Sequence, residues 1–198
     1  MNRFIEPVTL RGEHATLEPM AESDAAALAK AAADGGIHNL WYTHVAQPAQ
    51  MAQYVKAAMA MRDQLGAMPF VARHNASGDI VGSTRYFNVD ATDRRLEIGH
   101  TWYARRVHRT AFNTECKLLL LTHAFETLFC IAVEFRTHWF NFASRAAIAR
   151  LGAKQDGVLR NHQLGADGSK RDTVVFSIID NEWPAVRRHL TFQLQKPR

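Results

Sequence analysis

The chain has little cysteine: only Cys116 and Cys130, both in or beside an apolar stretch. Two cysteines are too few for a disulfide framework, and the ten histidines show no paired metal-ligand spacing. No apolar run approaches the roughly eighteen residues that span a bilayer, and Met1–Leu10 lacks the apolar core of a signal peptide. We therefore expect a cytoplasmic protein with two reduced, buried thiols and no metal.

The chain also lacks internal repeats, low-complexity segments and any linker rich in Pro, Gly or Ser. Its 198 residues, 47% of them hydrophobic, suffice for one well-packed domain and are few for two. The sequence therefore predicts a single domain over residues 1–198.

Acidic residues are the minority, 19 against 24 basic ones, with a formal charge of +5. Such a balance is compatible with nucleic acid, an anionic cofactor or an acidic substrate. The basic residues form a compact cluster before a helix, not an extended stripe with stacking aromatics, which disfavours a nucleic-acid-binding module.

The hydrophobic periodicity predicts an α+β order of strand, two helices, three strands, helix, strand, helix, two strands and helix. The expected strands are Ala15–Met20, Met68–Arg73, Ile80–Phe87, Arg94–Tyr103, Ile131–Thr137, Val158–Leu164 and Thr173–Ile179. The expected helices begin at Ser23 or Asp24, Pro48, Asn113 (to Phe129), Asn141 and Glu182.

A basic loop, residues 105–110, joins the strand ending at Tyr103 to the helix from Asn113. The first turn of a helix has unpaired N–H groups and a partly positive end, so it binds phosphate readily. With Arg105, Arg106, His108 and Arg109, this junction is a candidate pyrophosphate site, and a solvated charged loop is the alternative.

Glu97 lies in mid-strand between Leu96 and Ile98, an awkward place for a carboxylate if both faces of the sheet are covered. Burial would raise its pKa, which suits a general base near neutral pH. The alternative is a salt bridge to a cross-strand arginine such as Arg85. Further along, Asn141 and Ser144 are suited to cap a helix, and capping is compatible with ligand contact.

Several motifs together resemble one family. They occur in the order Leu96-Glu97-Ile98-Gly99, His108-Arg109-Thr110-Ala111-Phe112-Asn113-Thr114-Glu115, Asn141-Phe142-Ala143-Ser144-Arg145, Leu151-Gly152-Ala153, residues 156–162 and residues 177–184. This succession resembles the GNAT superfamily of N-acetyltransferases and, within it, the RimJ/RimL-like branch of bacterial ribosomal-protein N-terminal acetyltransferases. The resemblance covers nearly the whole chain.

The resemblance implies the GNAT (acyl-CoA N-acyltransferase) fold: an α+β, mixed and largely antiparallel sheet of about seven strands, flanked by helices, with a splayed central strand pair. It implies acetyl-CoA as the acetyl donor, with pantetheine in the gap between the strand ending at Tyr103 and the strand Ile131–Thr137.

The resemblance also assigns cofactor-binding residues. The loop and first helical turn would hold the pyrophosphate with Arg106, Val107, His108, Arg109, Thr110, Ala111, Phe112, Asn113 and Thr114. The strand would bond pantetheine through backbone groups at Ile98, His100, Thr101 and Trp102. Asn141 would contact pantetheine, and Arg145 would face the nucleotide.

The implied mechanism is direct transfer in a ternary complex to a primary amine. Glu97 would act as base through water, and a backbone N–H near Ile98 or Gly99 would stabilise the oxyanion. Cys116 and Cys130 are not expected to form an acetyl-enzyme.

Two departures from the family pattern stand out. The family's loop commonly has a glycine where this chain has Ala111, although a helical φ would tolerate the methyl group. Many members protonate the departing thiolate with a tyrosine, but this chain has none after Tyr103. Ser144, another side chain or solvent would then be the acid.

Trp41, Tyr42 and His44 lie where this family builds its acceptor site, and Trp139 is a further candidate, with core packing as its alternative. The acceptor could be a protein or peptide N-terminus, a small amine, an amino-acid derivative or an antibiotic. A homodimer is common in such proteins. The alternative function is a non-catalytic CoA-binding or regulatory protein.

Overall fold

The computed structural model describes residues 4–43, 45–165 and 167–196. Within them, eight strands form one mixed sheet in the order β1-β2-β3-β4-β5-β6-β8-β7. The strands are β1 Leu10–Arg11, β2 Ala15–Pro19, β3 Met68–His74, β4 Ile80–Asp90, β5 Arg95–Tyr103, β6 Ala132–His138, β7 Lys154–Leu164 and β8 Lys170–Ile179. The α-helices are α1 Ala25–Ala33, α2 Met51–Leu65, α3 Phe112–Thr122, α4 Phe142–Arg150 and α5 Trp183–Gln195.

The predicted fold class and element order are confirmed, but the extent of some elements differs. The strand predicted from Val158 begins at Lys154. The sheet gains β1, whose two residues are too few to show an alternating pattern. The α-helical part of the helix predicted over 113–129 is shorter than expected and ends at Thr122. The chain continues from there as a π-helical turn, His123–Thr127. Phe129, with φ +53°, then leaves the helical conformation.

The two faces of the sheet are distinguished by neighbouring residues of β4. The Tyr86 hydroxyl donates to the carbonyl oxygen of Leu120 in α3 (2.6 Å), whereas Arg85 Nη1 reaches Met61 Sδ in α2 (3.1 Å). Since successive strand residues point to opposite faces, α2 and α3 cover different sides. We call these sides the α2 face and the α3 face.

The parallel pair β5–β6 separates after a short ladder. Arg95, Leu96 and Glu97 pair with Ala132, Val133 and Glu134, and in the described ranges no strand pairs with the rest of β5 on that side. A register shift between β4 and β5 places an extra residue in β5, where His100 has φ +48°. We call the opening beyond the Glu97–Glu134 pair the splay, and that pair its closed end.

Both cysteines are buried and free of disulfides, as predicted. Burial raises the pKa of the Cys116 thiol to about 12 and that of Cys130 to about 11. Both are therefore neutral at physiological pH. No helix in the described part of the chain is long and apolar enough to cross a membrane.

Candidate functional site

Glu97 lies at the closed end of the splay, on the α2 face. It is 3% exposed, and its neighbour on that face is Gly99, which pairs with Arg85. A Cβ added at Gly99 would lie 3.5 Å from Glu97 Oε1. Desolvation raises the pKa of Glu97 to about 7, although a hydrogen bond from Asn88 and the charge of Arg136 act in the opposite direction.

The alternative role for Glu97 was an ion pair with a cross-strand arginine such as Arg85. Arg85 does not pair with Glu97, and a different arginine lies beside it. The guanidinium nearest to Glu97 is that of Arg136 on β6, with Nε 3.5 Å from Oε2. Arg136 pairs more closely with Glu134, at 2.8 Å, and Arg95 also pairs with Glu134. The arginines are therefore held mainly by Glu134, and desolvation outweighs their effect on the pKa of Glu97.

Arg85 itself extends beneath α2. It is 2% exposed, it lies over the Tyr54 ring at 5.3 Å, and its Nε and Nη2 have no hydrogen-bond partner among the described residues. The strand register explains this position. Arg85 pairs with Gly99 and Phe87 pairs with Glu97, so Arg85 is on the same face as Glu97 but one pair further along the strands.

The loop before α3 has the geometry of an exposed helix N-terminus. Thr110 Oγ1 accepts from the N–H of Phe112 at 3.2 Å and donates to the carbonyl oxygen of Val107 at 2.8 Å. The residue at the N-cap position is Ala111, so α3 has no side-chain cap. The left-handed residue of the loop is Arg109, with φ +59°, whereas Ala111 is helical with φ −65° and ψ −21°. The alanine in place of the family's glycine therefore introduces no backbone strain.

Two charged or titratable side chains of this loop contact neighbouring residues. Arg106 pairs with Asp34 (3.1 Å) and Asp79 (3.3 Å), and His108 Nε2 lies 2.9 Å from the carbonyl oxygen of Tyr103. Arg109 and Thr110 are exposed. Arg106 is exposed as well, so both guanidinium groups lie at the surface beside the start of α3.

The remaining residues predicted around this turn lie close by but differ in exposure. Val107, Phe112 and Thr114 are buried, and Asn113 is half-buried. The N–H groups of Val107 and Phe112 already donate within the loop, to the carbonyl oxygen of Ala104 and to Thr110 Oγ1. A cavity of about 320 Å³ borders this turn, lined by His14, His74, Thr110, Ala111, Phe112, Leu194 and Lys196.

The free edge of β5 carries the other predicted cofactor residues. Ile98 and Trp102 are buried, Thr101 is half-buried, and His100 is exposed at the bulge, its ring 4.9 Å from that of Phe87. No strand of the described chain covers their backbone on the β6 side. An extended amide chain could add to this edge as a further strand would, which fits pantetheine.

The start of α4 lies just after β6. Asn141 Oδ1 accepts from the N–H of Ser144 at 3.0 Å, so Asn141 caps the helix as its residue type suggests. Ser144 is half-buried. The Arg145 guanidinium lies 4.4 Å from the centre of the Trp139 ring and 5.3 Å from that of Phe142, which directs it toward aromatic side chains.

The predicted acceptor residues separate into two groups. Trp41 is 69% exposed and lies 5.0 Å from the ring of His138 and 5.7 Å from that of Phe140, with Tyr42 5.5 Å away. We call these four residues the aromatic group. His138 is two residues beyond Arg136, so the group lies on the α2 face with Glu97. Trp139 belongs with Arg145 instead, and His44 lies outside the described residues.

Four side chains near the splay were not predicted: Asn88, Arg136, His138 and Lys117. Asn88 donates to Glu97 Oε2 at 2.9 Å from a position with φ +47°. Arg136 and His138 follow Glu134 at every second residue of β6, so all three share a face of the sheet. The sequence shows this spacing, but it points to Glu97 only when β6 is known to pair with β5. The described residues contain no group of three or more His, Cys, Asp or Glu side chains that could hold a metal ion.

This sheet, with its splayed parallel pair and basic loop before α3, corresponds to a known class of acyltransferases. A family model described as Acetyltransferase (GNAT) domain matches residues 14–154. The chain belongs to this GNAT family.

A similar protein of known sequence carries an acetyltransferase name as well. A curated relative from Bacillus subtilis (strain 168), named "Putative ribosomal N-acetyltransferase YdaF", is 31% identical over 106 residues. The match covers 54% of this chain and 57% of the relative, so the chain spans little more than half of that protein's length.

Solved structures extend the similarity over most of the fold. A GCN5-related N-acetyltransferase from Brucella melitensis has 27% identity and a TM-score of 0.85, over 96% of this chain and 86% of the other. Mycobacterium smegmatis RimJ, solved in complex with CoA-disulfide, has 23% identity and a TM-score of 0.78, over 94% and 95%. The RimJ likeness concerns the fold alone.

Proposed function

We propose that this protein is an acetyl-CoA-dependent N-acetyltransferase that acts on a primary amine, with a protein or peptide N-terminus as the acceptor. The observation that carries the proposal is Glu97, a desolvated carboxylate with a pKa of about 7 at the closed end of the splay. At the other end of β5, an exposed helix N-terminus follows a basic loop.

Acetyl-CoA supplies an activated acetyl thioester, and the chain supplies two places that suit it. The N–H groups at the start of α3, with the Arg109 charge, suit the phosphates. The free edge of β5 from Ile98 to Trp102 suits the amides of pantetheine, and Asn141, at the start of α4 just after β6, would contribute its amide nitrogen. The CoA-disulfide complex of RimJ supports the same ligand class.

Glu97 has the chemistry of a general base for an amine that arrives protonated. A carboxylate with a pKa of about 7 holds a proton far better than an exposed glutamate, yet releases it again near neutral pH. Its position on the α2 face places it on the same side as the aromatic group. A water molecule would relay the proton from the amine to Glu97.

The transfer is direct, without an acetyl-cysteine. Cys116 and Cys130 are buried and their raised pKa values keep them neutral, so neither is a nucleophile. The backbone N–H of Ile98 or Gly99 would stabilise the developing oxyanion.

The peptide acceptor rests on two supports. The curated relative carries the name of a ribosomal N-acetyltransferase. The exposed Trp41 and Phe140 form an apolar surface that suits the first side chains of a peptide better than a small hydrophilic amine.

The test is an acetyl-transfer assay with peptides of different N-terminal residues, small amines and aminoglycosides, read by CoA release and by the mass of the product. We expect acetylation of peptide N-termini, reduced about 100-fold or more in Glu97→Gln and unchanged in the exposed Glu22→Gln control. Acetyl-CoA binding without transfer to any amine would instead indicate a non-catalytic CoA-binding protein. An unchanged pH profile in Glu97→Gln would remove Glu97 from the mechanism.

A further inference from the structure

Lys117 of α3 is a buried cation without an anionic partner. Lys117 is 5% exposed. Its Nζ donates to Thr101 Oγ1 at 2.8 Å and more weakly to Thr84 Oγ1 at 3.5 Å. The ring of Phe135 lies 5.9 Å from Nζ. Among the described residues, no carboxylate lies within ion-pair distance of Nζ.

Such a lysine costs the fold stability. Removing an ammonium from water is expensive, and two hydroxyl groups and a ring do not replace its hydration. An apolar side chain of similar size would fill the same position at lower cost. Packing therefore does not account for a charge here.

The Lys117 ammonium lies beside the proposed cofactor strand, and this position explains the charge better than packing does. Thr101 is on β5 and Phe135 is on β6, so Nζ lies across the splay, on its α3 face. Phe135 directly follows Glu134, whose pairing with Glu97 closes the splay. Thr101 lies four residues beyond Glu97 on β5, so Lys117 contacts the opening of the splay beyond its closed end, on the face opposite Glu97.

Pantetheine and its thioester would lie in this opening, between the first turn of α3 and Glu97, if the phosphates meet that turn. The chain then needs a group that stabilises the departing sulfur, and it has no tyrosine after Tyr103. Desolvation lowers the pKa of Lys117 to about 8, close to the value of about 8.5 for an ordinary thiol. A proton can pass between two groups so matched with little free-energy change.

We propose that Lys117 is the cation that meets the departing sulfur of CoA, stabilises it as a thiolate and gives it a proton. This inference rests on the proposed acetyl transfer and assigns the acid of that same reaction to Lys117 instead of Ser144.

The proton balance is as follows. The protonated amine loses one proton through Glu97 to bulk water before attack, and its nitrogen loses a second when the new N–C bond is complete and the C–S bond breaks. The sulfur keeps the electron pair of the C–S bond and takes a proton from Lys117. Lys117 recovers one proton from water, so one proton is released per acetyl group transferred.

The titratable groups around Lys117 are few. On α3, Cys116 is held neutral and the Glu115 carboxylate is bound to the backbone N–H groups of the β1–β2 turn. Burial raises the pKa of Tyr86 on β4 and of Tyr103 on β5 well above its ordinary value, so both stay neutral. The residues that contact Nζ do not titrate: Thr84, Thr101 and Phe135. Glu97 lies across the sheet on the other face. A proton exchanged in the splay on the α3 face is therefore that of Lys117 or of its ligand.

The test combines three variants. Lys117→Met removes the charge at similar length, Lys117→Arg keeps a charge that does not give up its proton, and Lys56→Met is the exposed-lysine control on α2. We expect Lys117→Met to be at least as stable to urea as the wild type, to bind acetyl-CoA, and to lose about 100-fold in kcat. Lys56→Met should match the wild type.

A second measurement does not depend on turnover. CoA is titrated calorimetrically at neutral pH in two buffers that differ in ionisation enthalpy, with acetyl-CoA as the comparison. The wild type should release a proton on binding CoA but not acetyl-CoA, because the complex shares one proton between sulfur and Lys117. Lys117→Arg should keep this release and Lys117→Met should lose it.

The outcomes separate the two proposals. Wild-type protein that binds CoA without releasing a proton overturns the role of Lys117, whether or not Lys117→Met folds. Wild-type kcat in a folded Lys117→Met overturns it as well. If the wild type neither binds acetyl-CoA nor acetylates an amine, the proposed function itself fails.

Discussion

Asn88 donates a 2.9 Å hydrogen bond from Nδ2 to Oε2 of Glu97, and it does so from a left-handed position in a bulge of β4. An N–H donor stabilises the charged form of a carboxylate and lowers its pKa. The bond therefore offsets part of the desolvation of Glu97. The bulge is what brings the amide of Asn88 over the next strand.

Replacing Asn88 with glycine should raise the pKa of Glu97 further. Glycine tolerates the positive φ, so the change removes the donor without straining the backbone. The acid limb of the pH profile of kcat/KM should move upward by about one unit, the scale of one hydrogen bond to a charged group. Asn161→Gly, also at a positive φ (+51°) but on β7, is the matched control and should leave the limb in place.

Glu97→Gln should change stability in a pH-dependent way. The pKa of Glu97 is raised in the folded state, so the native protein binds the proton more tightly than the unfolded chain. Its contribution to stability therefore falls as pH rises from about 4.5 to about 7 and stays unfavourable above that range. The variant should gain about 1–3 kcal/mol over the wild type near pH 8 and little near pH 4.5, measured by urea unfolding. An equal difference at both pH values would contradict the buried, high-pKa carboxylate.

Arg109→Glu should weaken acetyl-CoA binding by about tenfold or more, because it reverses a charge beside the start of α3. The effect should shrink as salt is added. Arg106→Glu is a poorer probe, since it would also break the pairs with Asp34 and Asp79. The exposed Arg188→Glu on α5 controls for net charge, and an equal loss of affinity there would show that the loop has no special role.

Trp41→Ala should raise KM for peptide acceptors and leave the dissociation constant of acetyl-CoA unchanged. The exposed indole provides an apolar contact surface on the α2 face, and losing such a contact costs on the order of 1–2 kcal/mol, about tenfold in KM. Phe192→Ala, a comparably exposed aromatic on α5, is the control. Steady-state kinetics at varied peptide concentration measures both, and a changed kcat with unchanged KM would contradict an acceptor contact.

Glu115 should be important for folding and not for chemistry. Its carboxylate accepts from the backbone N–H groups of Glu13 (2.9 Å), His14 (2.7 Å) and Ala15 (2.7 Å), which fastens the β1–β2 turn to α3. Glu115→Ala should cost about 3 kcal/mol in urea unfolding. Gly12→Ala should also destabilise, since its Cβ would lie 2.4 Å from Glu115 Cδ, and the two effects should be less than additive.

The order of the elements was predictable because each helix and strand has its own periodicity. The two-residue β1 and the π-helical turn after α3 were not, since neither leaves a repeating pattern. The burial of Glu97 was predictable, because a carboxylate between Leu96 and Ile98 in mid-strand points to a covered face of the sheet.

The partners of Glu97 were harder to predict, because they depend on pairing between distant segments. Arg85 was the nearest cross-strand arginine in sequence, but the register opposite Gly99 sends it under α2. Arg136 reaches Glu97 only because β6 lies parallel to β5. Lys117 was missed because its burial follows from how α3 rotates against the sheet, which sequence spacing alone does not specify.

The most direct test of the account is calorimetric titration of acetyl-CoA into the wild-type protein, with free adenosine phosphate and dephospho-CoA for comparison. The account predicts roughly micromolar binding of acetyl-CoA, weakened in Arg109→Glu, and much weaker binding of the adenosine phosphate, which has no pantetheine to add to β5. Absence of acetyl-CoA binding would contradict it, because neither the exposed start of α3 nor the free edge of β5 would then have the role proposed here.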